Sequence, residues 1–158
     1  MAPVQLGSFT LDPGMPAADD KSQSMRGANS VAAPEGSFTQ YLKATLMEEL
    51  KTAGLLDPKS NIVITASMLE AQLNTNMDRA SGHLRTRFTV TRDQTLRYDR
   101  ALTATDTWDG SFIGAVAIPA AANHYQGLFR KMVGTLLDDN DFKAAVSRQP
   151  IGVTGAPD

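Results

Sequence analysis

Cysteine is missing from all 158 residues, which excludes disulfides, thiolate metal sites and thiol catalysis together. Its absence leaves the compartment open, because exported proteins also dispense with it. Histidine is scarce: His83 and His124 are the only members of the one residue type whose charge changes near neutrality. Neither sign of charge dominates, and a net charge of -2 gives no pull toward nucleic acid or an anionic membrane. Apolar runs are short as well. The longest, Phe112–Ala122 inside "WDGSFIGAVAIPAAANHY", falls well below the ~20 residues of a membrane span and is expected to be buried in protein. The first residues, "MAPVQLGSFTLDPG", lack the basic start and apolar segment of a signal peptide. The expectation is a cytoplasmic protein if Met1 is the true start, or an exported one whose leader has been removed.

What remains is a globular composition, 42% hydrophobic, with a length suited to one domain. Residues 1–36 hold a strand-like piece at Val4–Leu11, then a Pro-, Gly- and Ser-rich stretch, Asp12–Gly36, expected to be irregular and partly mobile. The core is assigned to residues 37–146 of the same domain, and residues 147–158 to a flexible tail.

Ser37 opens a helix. In "SFTQ" its side chain can accept from the Gln40 amide while the Gln40 side chain reaches back, the reciprocal capping box. Phe38, Leu42, Leu46, Leu50 and Ala53 then form an apolar stripe, and Gly54 suits the left-handed position past the end. Three strands follow, Asn61–Asn74, His83–Thr91 and Thr95–Thr107, with Gly82 in the turn after the first. The second alternates cleanly, with Leu84, Thr86, Phe88 and Val90 on one face and His83, Arg85, Arg87 and Thr89 on the other. A two-residue turn at Asp93-Gln94 would put Phe88 opposite Asp99 and mix the faces. A three-residue connection, Arg92-Asp93-Gln94, pairs Val90 with Leu96, Phe88 with Tyr98 and Leu84 with Leu102, and sets Arg87 opposite Asp99.

A closing helix carries Ile118, Ala122, Tyr125, Phe129, Met132 and Leu136 at helical spacing, with Pro119 in its first turn. The stretch from Trp108 to Tyr125 then becomes the crossover into that helix, its small residues letting backbone approach the sheet. Asp141 is expected to cap a short final turn. The order β-α-β-β-β-α predicts an α+β two-layer sandwich, a mostly antiparallel four-stranded sheet with two main helices on one face.

Residues that could carry chemistry are few. No carboxylate stands at helical spacing from His83 or His124, which argues against a metal site and for structural histidines. "DDND" at Asp138–Asp141 lacks the glycine and distal glutamate of a calcium loop and reads as helix termination. No nucleophile elbow, phosphate loop or dinucleotide fingerprint occurs, so no catalytic residues and no cofactor are expected. The arginines stand out. Arg79, Arg85, Arg87, Arg92, Arg97 and Arg100 fall within 22 residues, and against Asp93 and Asp99 they leave that segment at +4. Arg85, Arg87 and Arg97 are expected to share the outer sheet face as a candidate site for an anionic partner. A solvated face of cross-strand ion pairs accounts for the same residues. Aromatic residues do not interleave with them, so nucleic acid is not expected. Trp108, the only tryptophan, is read as a lid over the core, or as a contact residue if it is exposed.

The series "GSFTQYLKATLMEELKTAGLL", "NIVITASML", "LRTRFTV", "WDGSFIGAVAI" and "LFRKMVGTLLDDNDFKAAV" resembles small Gram-negative envelope lipoproteins of the YajG-like kind. It is similar more distantly to the amino-terminal α/β modules of TolB and CsgG. The resemblance spans about Ser37 to Val146 and rests on element order and on Ala53-Gly54, Gly110–Phe112 and Asp141-Phe142. It implies a periplasmic, non-enzymatic interaction or assembly module, anchored at the outer membrane by a lipidated cysteine upstream. Its partner would be an envelope protein or an anionic envelope component. The alternative is a cytosolic ligand-binding or enzymatic α+β domain using the arginine face and a cleft near His124. A homo-oligomer through an edge strand such as Val4–Leu11 is a third reading.

Overall fold

The computed structural model describes residues 1–25, 29–76, 78–111 and 113–148. Its frame is a four-stranded sheet built from β1 (Gln5–Leu11), β4 (Ile62–Thr75), β5 (Arg79–Arg92) and β6 (Thr95–Asp109), in the order β1-β4-β5-β6. β1 runs parallel to β4, whereas β4, β5 and β6 form an antiparallel meander. Two helices, α1 (Phe38–Thr52) and α2 (Gly114–Asp138), cover one face. The expected α+β sandwich with an open sheet is the observed architecture. The segment read as irregular carries a small antiparallel ribbon, β2 (Ser22–Ser24) and β3 (Ser30–Ala32), whose Met25 and Val31 are buried. A short helix, α3 (Asn140–Ala145), follows α2. Most of the tail, from residue 149 on, and Phe112 lie outside the described residues.

Capping explains where α1 begins and ends. Ser37 accepts from the Gln40 amide at 3.2 Å as expected, but the reciprocal arm of the box is not made. The Gln40 side chain donates instead to the Phe9 carbonyl of β1 at 3.0 Å, because a buried strand is a better-placed acceptor. Asp20 takes over part of the capping, accepting from the Thr39 amide at 2.8 Å and from the Ser37 hydroxyl at 2.7 Å. At the other end Leu55 N–H donates to Leu50 O and Gly54 N–H to Lys51 O, with Gly54 at φ 71. That pair of bonds is the Schellman arrangement.

The β5–β6 hairpin corrects the expected register. Its turn has two residues, Asp93 and Gln94, both left-handed at φ 52 and 67, as a primed hairpin turn requires. Arg92 pairs with Thr95 and Thr91 with Leu96, then Val90 pairs with Tyr98, leaving Arg97 as the extra residue of a bulge. Leu84, Phe88, Tyr98 and Leu102 do share the buried face. Their partners are displaced by two, however: Phe88 faces Arg100, Leu84 faces Ala104, and Leu102 faces Thr86. Parity determines the face but is blind to a shift of two, and a bulge leaves no mark on an alternation pattern. β4 carries a second bulge at Leu69, which moves its inward set from Ile62, Ile64, Ala66 and Met68 to Ala71, Leu73 and Thr75.

Two further positions differ from expectation. Gly82 lies within β5, not in the preceding turn, because the strand begins at Arg79. A Cβ there would come within 2.7 Å of Leu128 Cδ1, so the close approach of helix to sheet is made by this glycine. α2 begins at Gly114, five residues before Pro119, which is therefore interior to the helix. The opening turns of α2 are largely exposed, with Val116 at 55%, and do not form the tight crossover expected of them. Below them Phe38 stacks on Phe129 at 5.4 Å and meets Tyr125 edge-on at 5.2 Å, and these buried rings join the two helices.

Candidate functional site

The strongest polar convergence lies where the β6 edge meets α3. A concavity of about 440 Å³ is lined by Arg92, Arg97, Tyr98, Asp99, Arg100, Asp141, Ala144 and Ala145. Three arginines reach it in three ways. Arg92 ends β5 and donates Nη1 to the Ser147 carbonyl at 2.8 Å and the Ala145 carbonyl at 3.3 Å, where the chain leaves α3. Arg97 is the bulge residue, and its side chain has no hydrogen bond or ion pair among the described residues. Arg100 bonds Asp139 at 2.9 Å and Asp141 at 2.5 Å.

Asp139 organises this corner. Its side chain accepts from the Asp141 amide at 2.9 Å, making it the N-cap of α3 and correcting the assignment of that role to Asp141. The Tyr98 hydroxyl donates to it at 2.6 Å. Burial raises the Asp139 carboxyl, but the bonds from Tyr98 and the Asp141 amide, together with Arg100, outweigh it and hold the group below the usual carboxylate range. Burial first, and then Asp139, push Tyr98 well above the ordinary phenol range.

Among the described residues, two of the expected arginine trio are ion-paired and Arg97 is not. Arg85 and Arg87 project from the outer face of β5, where Arg85 lies 3.6 Å from Glu70, and Arg87 donates Nε to Asp99 at 2.6 Å. The Arg87–Asp99 pair is diagonal, because Asp99 stands opposite Thr89. That hydrogen bond first, and the Arg87 charge after it, hold Asp99 below the usual carboxylate range. Arg97 lines the concavity with Arg92 and Arg100, and Asp99 of this pair lines it too. Arg92 and Arg100 went unnoticed as site residues, although both stand at positions whose parity is that of the apolar face, a detectable signal. Nothing in the sequence marks the bulge at Arg97.

Trp108 is 8% exposed on the inner face of β6. His124 of α2 stacks on it with ring centroids 4.3 Å apart and planes 2° apart. His124 Nδ1 lies 2.7 Å from Asp106, and His83 Nε2 lies 3.0 Å from Glu70. Both histidines thus have carboxylate partners supplied by other elements, Asp106 of β6 for His124 and Glu70 of β4 for His83, which helical spacing could not reveal. Among the described residues no group of three His, Asp or Glu side chains could hold a metal ion. Beside Trp108, Val116, Ala117 and Ala120 line a separate hollow of about 310 Å³.

No protein-family model matches the chain, and no curated protein matches it in sequence. Solved structures do share its fold. Protein XCC0632 from Xanthomonas campestris, of the DUF330 family, superposes with a TM-score of 0.63 at 10% identity, covering 86% of this chain and 81% of that one. A minor lipoprotein from Acinetobacter baumannii gives 0.52 at 15% identity, covering 93% and 96%. The rare lipoprotein B from Shewanella oneidensis gives 0.51 at 10% identity, covering 84% and 90%. The chain therefore has the fold of these bacterial proteins, two of them lipoproteins.

Proposed function

We propose that this chain is a non-enzymatic interaction or assembly module of the Gram-negative envelope, of the YajG-like kind that its sequence resembles. The observation that carries the reading is the fold shared with lipoproteins from Acinetobacter and Shewanella over more than four-fifths of this chain. His124 is held by Asp106 and covers one face of Trp108, an arrangement that fixes the ring in place. Of the residues expected to contact a partner, Arg97 is the favoured one. Arg85 and Arg87 are engaged by Glu70 and Asp99, and Trp108 serves the core. Labelling cells that express the complete gene with radioactive palmitate, followed by membrane fractionation, tests the proposal. A labelled product in the envelope fraction is the expected result. An unlabelled protein confined to the cytoplasm would overturn the reading and favour the cytosolic alternative.

A further inference from the structure

The concavity between β6 and α3 gathers more positive charge than the structure neutralises. Arg100 is matched by Asp139 and Asp141, and Asp99 is occupied by Arg87. Arg92 meets only backbone carbonyls, through Nη1, and its Nε and Nη2 make no hydrogen bond among the described residues. Arg97 makes no ion pair among them, although Asp99 and Asp141 line the same hollow. Arg87, Arg92, Arg97 and Arg100 against Asp99, Asp139 and Asp141 leave one positive charge in excess at this corner, and Arg92 and Arg97 are the guanidinium groups lining the hollow that make no ion pair among the described residues. The local backbone maintains it: a bulge adds Arg97 to β6, and bulges commonly re-aim a side chain.

We infer that this hollow binds a phosphate group, bridged by Arg92 and Arg97, with Arg100 held beside them by Asp139 and Asp141. A phosphate group carrying one negative charge matches that excess, and its oxygens can accept paired N–H donors from both guanidinium forks. A carboxylate, with two oxygens, can fill only one fork in this bidentate way. The phosphate belongs either to a soluble ion or ester or to an anionic lipid headgroup. The site stands whether or not the protein resides in the envelope.

Calorimetric titration of the protein with inorganic phosphate at low ionic strength forms one arm of the test. The other is sedimentation with phosphatidylglycerol vesicles against phosphatidylcholine vesicles. Arg97→Ser removes an exposed side chain without disturbing the core, and it should weaken binding roughly tenfold. Arg92→Gln should act in the same direction, whereas Arg87→Ser on the outer face should change affinity by less than about twofold. Loss with Arg97→Ser in the phosphate arm assigns a soluble ligand, and the same loss in the vesicle arm alone assigns a lipid headgroup. Binding that survives both Arg97→Ser and Arg92→Gln, equal loss with Arg87→Ser, or no binding in either arm would overturn the site. None of these results bears on palmitate labelling.

Discussion

Gly82 lies directly beneath Leu128, so that a Cβ on the glycine would sit 2.7 Å from Leu128 Cδ1. Leu128 is 1% exposed and has little room to turn away. This contact sets how closely α2 rests on β5. Gly82→Ala is therefore expected to destabilise the fold by about 1–3 kcal/mol through overpacking, measured by chemical denaturation. A neutral or stabilising result would mean that the helix–sheet spacing is softer than this contact implies.

Asp139 serves two functions that substitution can separate. Asparagine retains the capping of α3 but removes the charge that meets Arg100 and accepts from Tyr98. Alanine removes both, and should cost about 1 kcal/mol more than asparagine from the lost cap. The folded carboxyl is held below its ordinary 3.8, so its contribution is complete above that pH. It is lost as acid protonates the folded group, below about pH 4. Thermal unfolding across that range should show a shallower acid limb for Asp139→Asn than for the parent. Parallel limbs would deny Asp139 this role.

Trp108, as the only tryptophan, reports on its own surroundings. His124→Ala uncovers one face of the indole, so fluorescence emission should move to longer wavelength and stability should fall by about 1–2 kcal/mol. Asp106→Asn keeps a hydrogen-bonding partner for the ring and should move the emission less. Equal spectra for the parent and His124→Ala would contradict the stacking.

Ile113 at 63% and Val116 at 55% exposure stand clear of the core at the start of α2. Replacing both with serine should change stability by no more than about 0.5 kcal/mol each. A loss of several kcal/mol in denaturant titration would show that these turns are packed, as the sequence reading expected.

The division into faces was legible in the alternation of Leu84, Phe88 and Val90, and the start and end of α1 in Ser37 and Gly54. Those features depend on neighbours in the chain. What could not be read depends on distant ones: Gln40 abandons its own helix for Phe9, Asp20 caps α1 from afar, and Asp106 reaches His124 from another element. The bulge at Arg97 was hidden for a different reason: beyond it a shift of two residues preserves the inward and outward assignments, whereas Leu96 before it, expected on the apolar face, is 54% exposed. Its concealment kept the hollow that Arg97 shares with Arg92 out of view.

The parallel pairing of β1 with β4 has a kinetic consequence. The meander of β4, β5 and β6 closes through short connections, but Gln5 must wait for Val63, with the whole of α1 in between. Loop closure over that span is entropically the costlier step, so the nascent sheet should assemble from its carboxyl-terminal strands and accept β1 last. Until then the flank of β4 from Val63 to Met68 lies bare, and refolding is most exposed to wrong strand pairing during that interval.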